Sequence, residues 1–149
     1  MRTILVLPKL KSKINYIAAV RSAEAFGVTE ICAVSIRKLE TFNGTIKGAQ
    51  RHVKTTYFKN NDDCINYLIK EKIKIICLEN CENSHSLLEF KFPANIAVVT
   101  GNENTGVPEE YLQVGTMVRI PQFGLVNCLN TAIAVSIVLF ERFKSALKL

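Results

Sequence analysis

Four short apolar runs dominate the pattern of this chain: Thr3–Leu7, Thr29–Ser35, Lys74–Leu78 and Ile96–Thr100. Each is nearly continuous rather than alternating, as strands buried on both faces are, and each ends at Pro, Gly or a polar loop. Two weaker runs join them, Lys54–Phe58 with the look of an edge strand and Met117–Ile120 as the last strand. Between them lie stretches with helical signals. Ser12 is placed to cap a helix from about Lys13 to Phe26, stopped by Gly27, with Ile14, Ile17, Ala18 and Ala25 on its predicted buried side. Asp62 or Asp63 opens a helix to about Glu71, Pro108 begins a short one, and Leu129–Leu147 reads as a long one with Leu129, Ile133, Ile137 and Phe140 along one side. Residues 41–53, with Gly44 and Gly48, read as a loop carrying a short helix. Strands alternating with helices predict an α/β fold: a mostly parallel sheet with helices on both faces.

The 149 residues suit a single domain, expected to span 1–149 with no linker, repeat or amino-terminal extension. Hydrophobic content of 48% against 21% charged residues excludes a disordered or low-complexity chain. The start, MRTILVLPKLKSK, lacks a secretory pattern. The uncharged segment from Ile120 to Phe140 is too rich in Pro, Gly, Gln and Asn to read as a membrane span. These features predict a cytoplasmic protein whose five cysteines are reduced thiols. The net charge of +6 is uneven: residues 1–54 hold ten of the nineteen Lys and Arg but only three of the thirteen acids. A phosphate-rich partner such as nucleic acid leaves that footprint, and so does a solvated lysine-rich surface.

Several familiar chemistries fail on the residues. GNENTG at 101–106 has P-loop glycine spacing, but Val107 and Pro108 stand where Lys and Ser/Thr would hold phosphate and Mg²⁺. No G-x-G-x-x-G follows a predicted strand. Cys77 and Cys81 lack a second ligand pair, so no metal is expected, and neither His52 nor His85 suggests a nucleophilic triad. Three polar loops remain after apolar strands: LENCENS at 78–84, TGNENTGVP at 100–108 and IPQFGLVNCLN at 120–130. Ligands of open α/β sheets bind beyond the carboxyl ends of the strands. With no basic residue in these loops to grip a pyrophosphate, the expected ligand is nucleoside-like; ordinary Gly- and Asn-rich turns are the alternative.

The chain resembles, over essentially its whole length, the SPOUT superfamily of RNA methyltransferases, in particular its SpoU/TrmH-like ribose 2′-O branch. The residues that carry the resemblance are NYIAAVRSAEAFG at 15–27, TGNENTGVP at 100–108, and IPQFG at 120–124 followed by Cys128-Leu129-Asn130. It implies a carboxyl-terminal deep trefoil knot, a homodimer, and S-adenosylmethionine bound against the three loops mostly through backbone groups. The cofactor contacts implied are Leu78, Thr100, Gly101, Asn102, Gly106, Ile120, Pro121, Cys128 and Leu129.

Arg21, Asn15, Glu103 and Asn130 are the catalytic residues the resemblance implies, with the arginine supplied to a facing chain's site. A guanidinium pKa above about 12 makes deprotonation costly, which favours Arg21 as a clamp on the target phosphate and a stabiliser of the nascent oxyanion. Asn15 would support Arg21, contact RNA, or cap the helix. Glu103 would lie near the methyl donor or orient Arg21 and Asn130, and Asn130 would contact substrate, brace the loops or cap the last helix. Cys128 departs from the family's usual Ser, and a thiol is a poorer donor than a hydroxyl. RNA contacts are expected from Lys9, Lys11, Lys13, Lys47, Arg51 and Lys54, with tRNA favoured over rRNA. A non-catalytic RNA-binding dimer that keeps the fold is the competing reading.

Overall fold

The computed structural model of the protein describes residues 1–36, 52–126 and 128–147. Its elements run β1 (Arg2–Leu7), α1 (Lys13–Ala25), β2 (Glu30–Val34), β3 (Lys54–Phe58), α2 (Asn61–Lys70), β4 (Lys74–Leu78), β5 (His85–Ser86), β6 (Asn95–Val99), α3 (Glu109–Leu112), β7 (Thr116–Arg119) and α4 (Thr131–Ala146). The seven strands form one sheet in the order β3-β2-β1-β6-β4-β7-β5. Every pairing is parallel. Val6 lies opposite both Cys32 and Val99, and Cys77 lies opposite Val99, so the central strands reach the same level and release their loops together. Segment 37–51, expected as a loop with a short helix, is outside the described residues, as are Lys47 and Arg51.

The two-residue side-chain period of the strands splits the core in two. Leu5, Leu7, Ile31, Ile96 and Val98 point to one face, where Tyr16, Ala19, Val20 and Ala23 of α1 and Val135, Val138 and Leu139 of α4 cover them. Ile4, Val6, Cys32, Val34, Ala97 and Val99 point to the other, against Cys64, Ile65 and Leu68 of α2 and Tyr111 of α3. Each fully buried Val, Leu or Ile contributes about 1.5–3 kcal/mol, so a sheet apolar on both sides holds only when both are covered. Helices on both faces follow from the sequence pattern.

The helices differ from expectation in their sides. Ser12 caps α1 through its Oγ, which accepts the Asn15 N–H at 3.3 Å, and Gly27 follows the helix at φ +67°. Yet Ile14 is 77% exposed and Ala25 is exposed, while Tyr16, Ala19, Val20 and Ala23 are buried. In α4 the buried stripe is Ala132, Val135, Val138, Leu139 and Arg142; Ile133 and Phe140, on the side expected to pack, are 54% and 48% exposed. Both helices are apolar on two sides, and periodicity alone cannot say which meets the sheet. Leu129 precedes α4, whose N-cap is Asn130. Asn60, not an aspartate, caps α2 by accepting the Asp63 N–H at 2.8 Å, while Asp62 and Asp63 complement the dipole in its first turn. The two-residue β5 carries too little apolar pattern to be seen in the sequence.

At the amino-terminal rim of the sheet the buried Glu30 carboxylate accepts from Thr56 Oγ1 at 2.7 Å and Tyr67 Oη at 2.9 Å, and pairs with Arg2 at 3.3 Å and Lys54 at 3.1 Å. Lys54 is thereby tied to the end of the sheet away from the three loops. That separates it from Lys9, Lys11 and Lys13, with which the sequence grouped it as an expected RNA contact. Among the described residues no helix is long and apolar enough to cross a membrane, and no three His, Cys, Asp or Glu side chains gather as metal ligands would.

Candidate active site

The loops leaving β4, β6 and β7 converge on one cavity of about 410 Å³ at the carboxyl ends of the strands. That is the scale of a small-molecule site, commonly about 300–1,000 Å³. Of the expected cofactor contacts, Leu78, Thr100, Gly101, Asn102, Gly106, Ile120, Cys128 and Leu129 all line it, with Glu103 and Asn130; Pro121 does not.

The loop after β6 is a tight turn built on its own polar groups. Asn102 and Gly106 exchange backbone hydrogen bonds at 2.9 and 3.1 Å, and Asn102 Oδ1 accepts the N–H groups of Asn104 and Thr105 at 2.7 and 3.1 Å. Gly101 is required by space: a Cβ there would stand 2.7 Å from the Gly106 carbonyl carbon and 2.9 Å from the Val107 nitrogen. Gly106 is required by its φ of +72°. The loop is fastened on three sides. Asn102 Nδ2 donates to the Lys9 carbonyl at 3.4 Å, Thr131 Oγ1 donates to the Gly101 carbonyl at 3.4 Å, and the Glu79 carboxylate accepts the Val107 N–H at 3.1 Å.

Three of the four expected catalytic residues form one hydrogen-bonded run. Glu103 Oε1 accepts from Asn15 Nδ2 at 2.8 Å, and Asn15 Oδ1 accepts from Asn130 Nδ2 at 3.0 Å. Asn130 Oδ1 caps α4 by accepting the N–H groups of Ala132 and Ile133 at 2.9 and 3.3 Å. The Glu103 carboxylate also accepts the backbone N–H groups of Lys11 and Ser12 at 3.1 and 3.3 Å. Desolvation acts to raise its pKa, but hydrogen bonds from Asn15 and from backbone N–H groups, its own included, outweigh this and hold it below the usual carboxylate value. Glu103 thus grips the start of α1 and Asn15 rather than Arg21. Asn15 sits inside the helix and does not cap it.

Arg21 is not at this cavity. Six residues on from Asn15 it lies about 9 Å further along α1 and on another side of the helix. It opens onto a shallow depression with Ser22, Glu24, Ala25, Phe26 and Ser136, where α1 meets α4 and the two serine hydroxyls lie 2.7 Å apart. Lys9, Lys11 and Lys13 are exposed beside the Glu103 loop.

Eight lining residues were not among the expected contacts: Glu79, Asn80, Asn104, Val118, Arg119, Gln122, Thr131 and Ala134. Glu79 and Asn80 belong to a loop already marked as polar and needed only to be followed past Leu78. The three loops themselves contain no basic residue, but Arg119 at the end of β7 also lines the cavity and donates through Nη1 to the Cys81 carbonyl at 3.5 Å.

The chain matches the SpoU rRNA Methylase family over residues 2–140. It is 29% identical over 136 residues to the tRNA (guanosine(18)-2′-O)-methyltransferase of Thermus thermophilus, covering 90% of this chain and 70% of that one. It is 30% identical over 143 residues to the 23S rRNA (guanosine-2′-O-)-methyltransferase RlmB of Salmonella typhi, covering 93% of this chain and 58% of the relative. Its fold superposes on the AdoMet-bound rRNA methyltransferase of Sinorhizobium meliloti with a TM-score of 0.86 at 24% identity, covering 98% of this chain and 57% of that one. With matching motifs on one cavity and a match spanning nearly its full length, the chain belongs to the SpoU methylase family.

Proposed function

We propose that the protein is an S-adenosylmethionine-dependent RNA methyltransferase acting on a ribose 2′-hydroxyl, with tRNA favoured over rRNA. The observation that carries this reading is the run Glu103–Asn15–Asn130 at a nucleoside-sized cavity in a SpoU-family chain. The residues present fit the cofactor: Leu78, Ile120 and Leu129 give apolar walls, and the turn at 101–106 offers backbone groups. Bound there, S-adenosylmethionine supplies an electrophilic methyl group. Positioning then does much of the catalysis, because the oxygen must approach that methyl in line.

Asn15 and Asn130 hold the loops after β6 and β7 in fixed relation to α1, which sets the geometry of the cavity mouth. Lys9, Lys11 and Lys13, exposed on the segment that the 102–103 loop grips, attract the phosphate backbone, giving affinity with little sequence choice. Arg21 binds a phosphate and stabilises negative charge developing on the 2′-oxygen. Its distance from its own cavity favours delivery by a second copy of the chain. Exposed Ile14, Ile133, Phe140 and Phe143 on α1 and α4 give such a homodimer its apolar face. The trefoil knot belongs to the same reading. In its support, β6 inserts between β1 and β4, β7 inserts between β4 and β5, and Arg142 ties the far end of α4 to the Ala94 carbonyl at 2.6 Å.

Incubation with labelled methyl donor and bulk tRNA or rRNA, then nucleoside analysis, tests the proposal. Label in a 2′-O-methylnucleoside from tRNA is expected. Label confined to a base-methylated nucleoside, or none in either RNA, overturns it.

A further inference from the structure

The short link between β1 and α1 turns its charges outward. Leu10 packs against the core and Ser12 caps α1, while Lys9 and Lys11 are exposed. The backbone of this link is held at three points by the loop after β6. Asn102 Nδ2 donates to the Lys9 carbonyl at 3.4 Å, and the Glu103 carboxylate accepts the N–H groups of Lys11 and Ser12 at 3.1 and 3.3 Å. That loop is itself fixed, by the hydrogen bonds between Asn102 and Gly106 and by Glu79 on the Val107 N–H. Glu103 thus directs its charge at backbone N–H groups and at Asn15. Among the described residues, neither the Lys9 nor the Lys11 ammonium pairs with an acid.

We infer that Glu103 and Asn102 are positioning residues for RNA: they fix the link so that Lys9 and Lys11 meet the phosphate backbone. The inference rests on the methyltransferase reading and gives Glu103 a part in holding the substrate instead of in the chemistry. An acid on a surface that faces phosphates repels them, so its charge alone predicts weaker RNA binding. A held backbone reverses that sign, because ammonium groups on a fixed link lose less freedom when a phosphate arrives than on a loose one. Asn102 and Glu103 also line the cavity, so a phosphate contacted by this link orients the RNA at the site as well as binding it.

The test is a double-mutant cycle read as the Kd for bulk tRNA over a range of salt. Its chains carry Glu103→Ala, Lys9→Ala with Lys11→Ala, or all three. Loss of the two lysines is expected to weaken tRNA binding and to lower the slope of log Kd against log salt by about two. Glu103→Ala is expected to weaken tRNA binding about tenfold, although it removes an acid, and to lower the slope as well. In the chain without the lysines, Glu103→Ala should cost no further affinity. If Glu103→Ala binds tRNA as tightly as the unsubstituted chain, or more tightly, the assignment is wrong. So it is if the loss is as large without the lysines as with them. Where thermal melts show Glu103→Ala unfolded, Asn102→Asp carries the same cycle: it keeps the Oδ1 on which the turn depends and removes the donor to the Lys9 carbonyl. Binding of tRNA that ignores Lys9 and Lys11 overturns this inference alone. An unsubstituted chain that binds neither tRNA nor rRNA removes the methyltransferase reading, and this inference with it.

Discussion

Asn130 donates through Nδ2 to Oδ1 of Asn15 at 3.0 Å, joining the start of the last helix to the first across 115 residues of sequence. Asn15 then passes its own amide hydrogen to Glu103, so one small side chain fixes two loops at once. Asn15→Ala breaks both links. Each is worth about 0.5–1.5 kcal/mol, so a loss of roughly 10- to 100-fold in kcat/KM for RNA methylation is expected if the energy is expressed in the transition state. Asn130→Ala should cost similar activity and, as a lost N-cap, about 1 kcal/mol of stability besides. In a double-mutant cycle the two should fall well short of additive. Strict additivity would show that they act separately.

Gly101 tests the loop itself. Gly101→Ala places a methyl group 2.7–2.9 Å from backbone atoms of Gly106 and Val107, which are held by the 102–106 turn and by Glu79. Relief requires the loop to move, at about 1–3 kcal/mol. Because the loop lines the cavity, cofactor affinity should fall roughly tenfold or more while the thermal midpoint moves by a few degrees. Unchanged cofactor affinity would mean that the backbone of this turn takes no part in binding.

Glu30 is the test of pH dependence. Burial acts to raise its pKa, but hydrogen bonds from Thr56, Lys54 and Tyr67 outweigh this and leave it lowered. A carboxylate depressed in the folded state adds stability above its unfolded pKa of about 4.3 and loses it as pH falls through the folded value. Glu30→Gln should therefore cost about 1–3 kcal/mol at pH 7. The gap from the unsubstituted chain should close as pH falls below about 4.3, as thermal melts between pH 7 and 3 would show. Since Glu30 lies at the rim opposite the loops, cofactor affinity should not change; a weakened cofactor Kd would contradict that separation.

Much of this architecture is legible in the sequence because parallel strands covered on both faces must be apolar throughout, as in IAVVT at 96–100. The site was legible because glycine and asparagine cluster where chain turns beyond those strands. The buried sides of α1 and α4 were not. Ile14 and Ile133 keep helical spacing as well as Tyr16 and Val135 do, and only packing decides between them. Gln122 was missed for another reason. It stands in the IPQFG motif, but nothing in the sequence says which residues of that loop line the cavity.

The misread apolar stripe carries a prediction of its own. Ile133 and Phe140 on α4 are half exposed in a helix whose other side already fills the core. Ile133→Asp with Phe140→Asp should leave the fold intact, because neither side chain belongs to the buried core. In sedimentation the variant should run as a monomer and the unsubstituted chain as a dimer. A variant that stays dimeric would place the interface elsewhere.

Arg21 decides how the two copies share the work. Arg21→Ala should abolish methyl transfer and leave cofactor affinity nearly unchanged, because the residue lines a depression on α1 and α4 rather than the cavity. If each site takes its guanidinium from the second copy, Arg21→Ala and Asn130→Ala chains disable different halves of one composite site. In a mixed dimer both lesions fall in the same site and the other site is whole. Equal mixing, after dissociation and reassociation, should therefore restore about a quarter of the unsubstituted activity from two chains that are each nearly inactive alone. Recovery near that level supports an arginine acting across the dimer. A mixture no more active than its components would place Arg21 in the site of its own chain or outside the chemistry altogether.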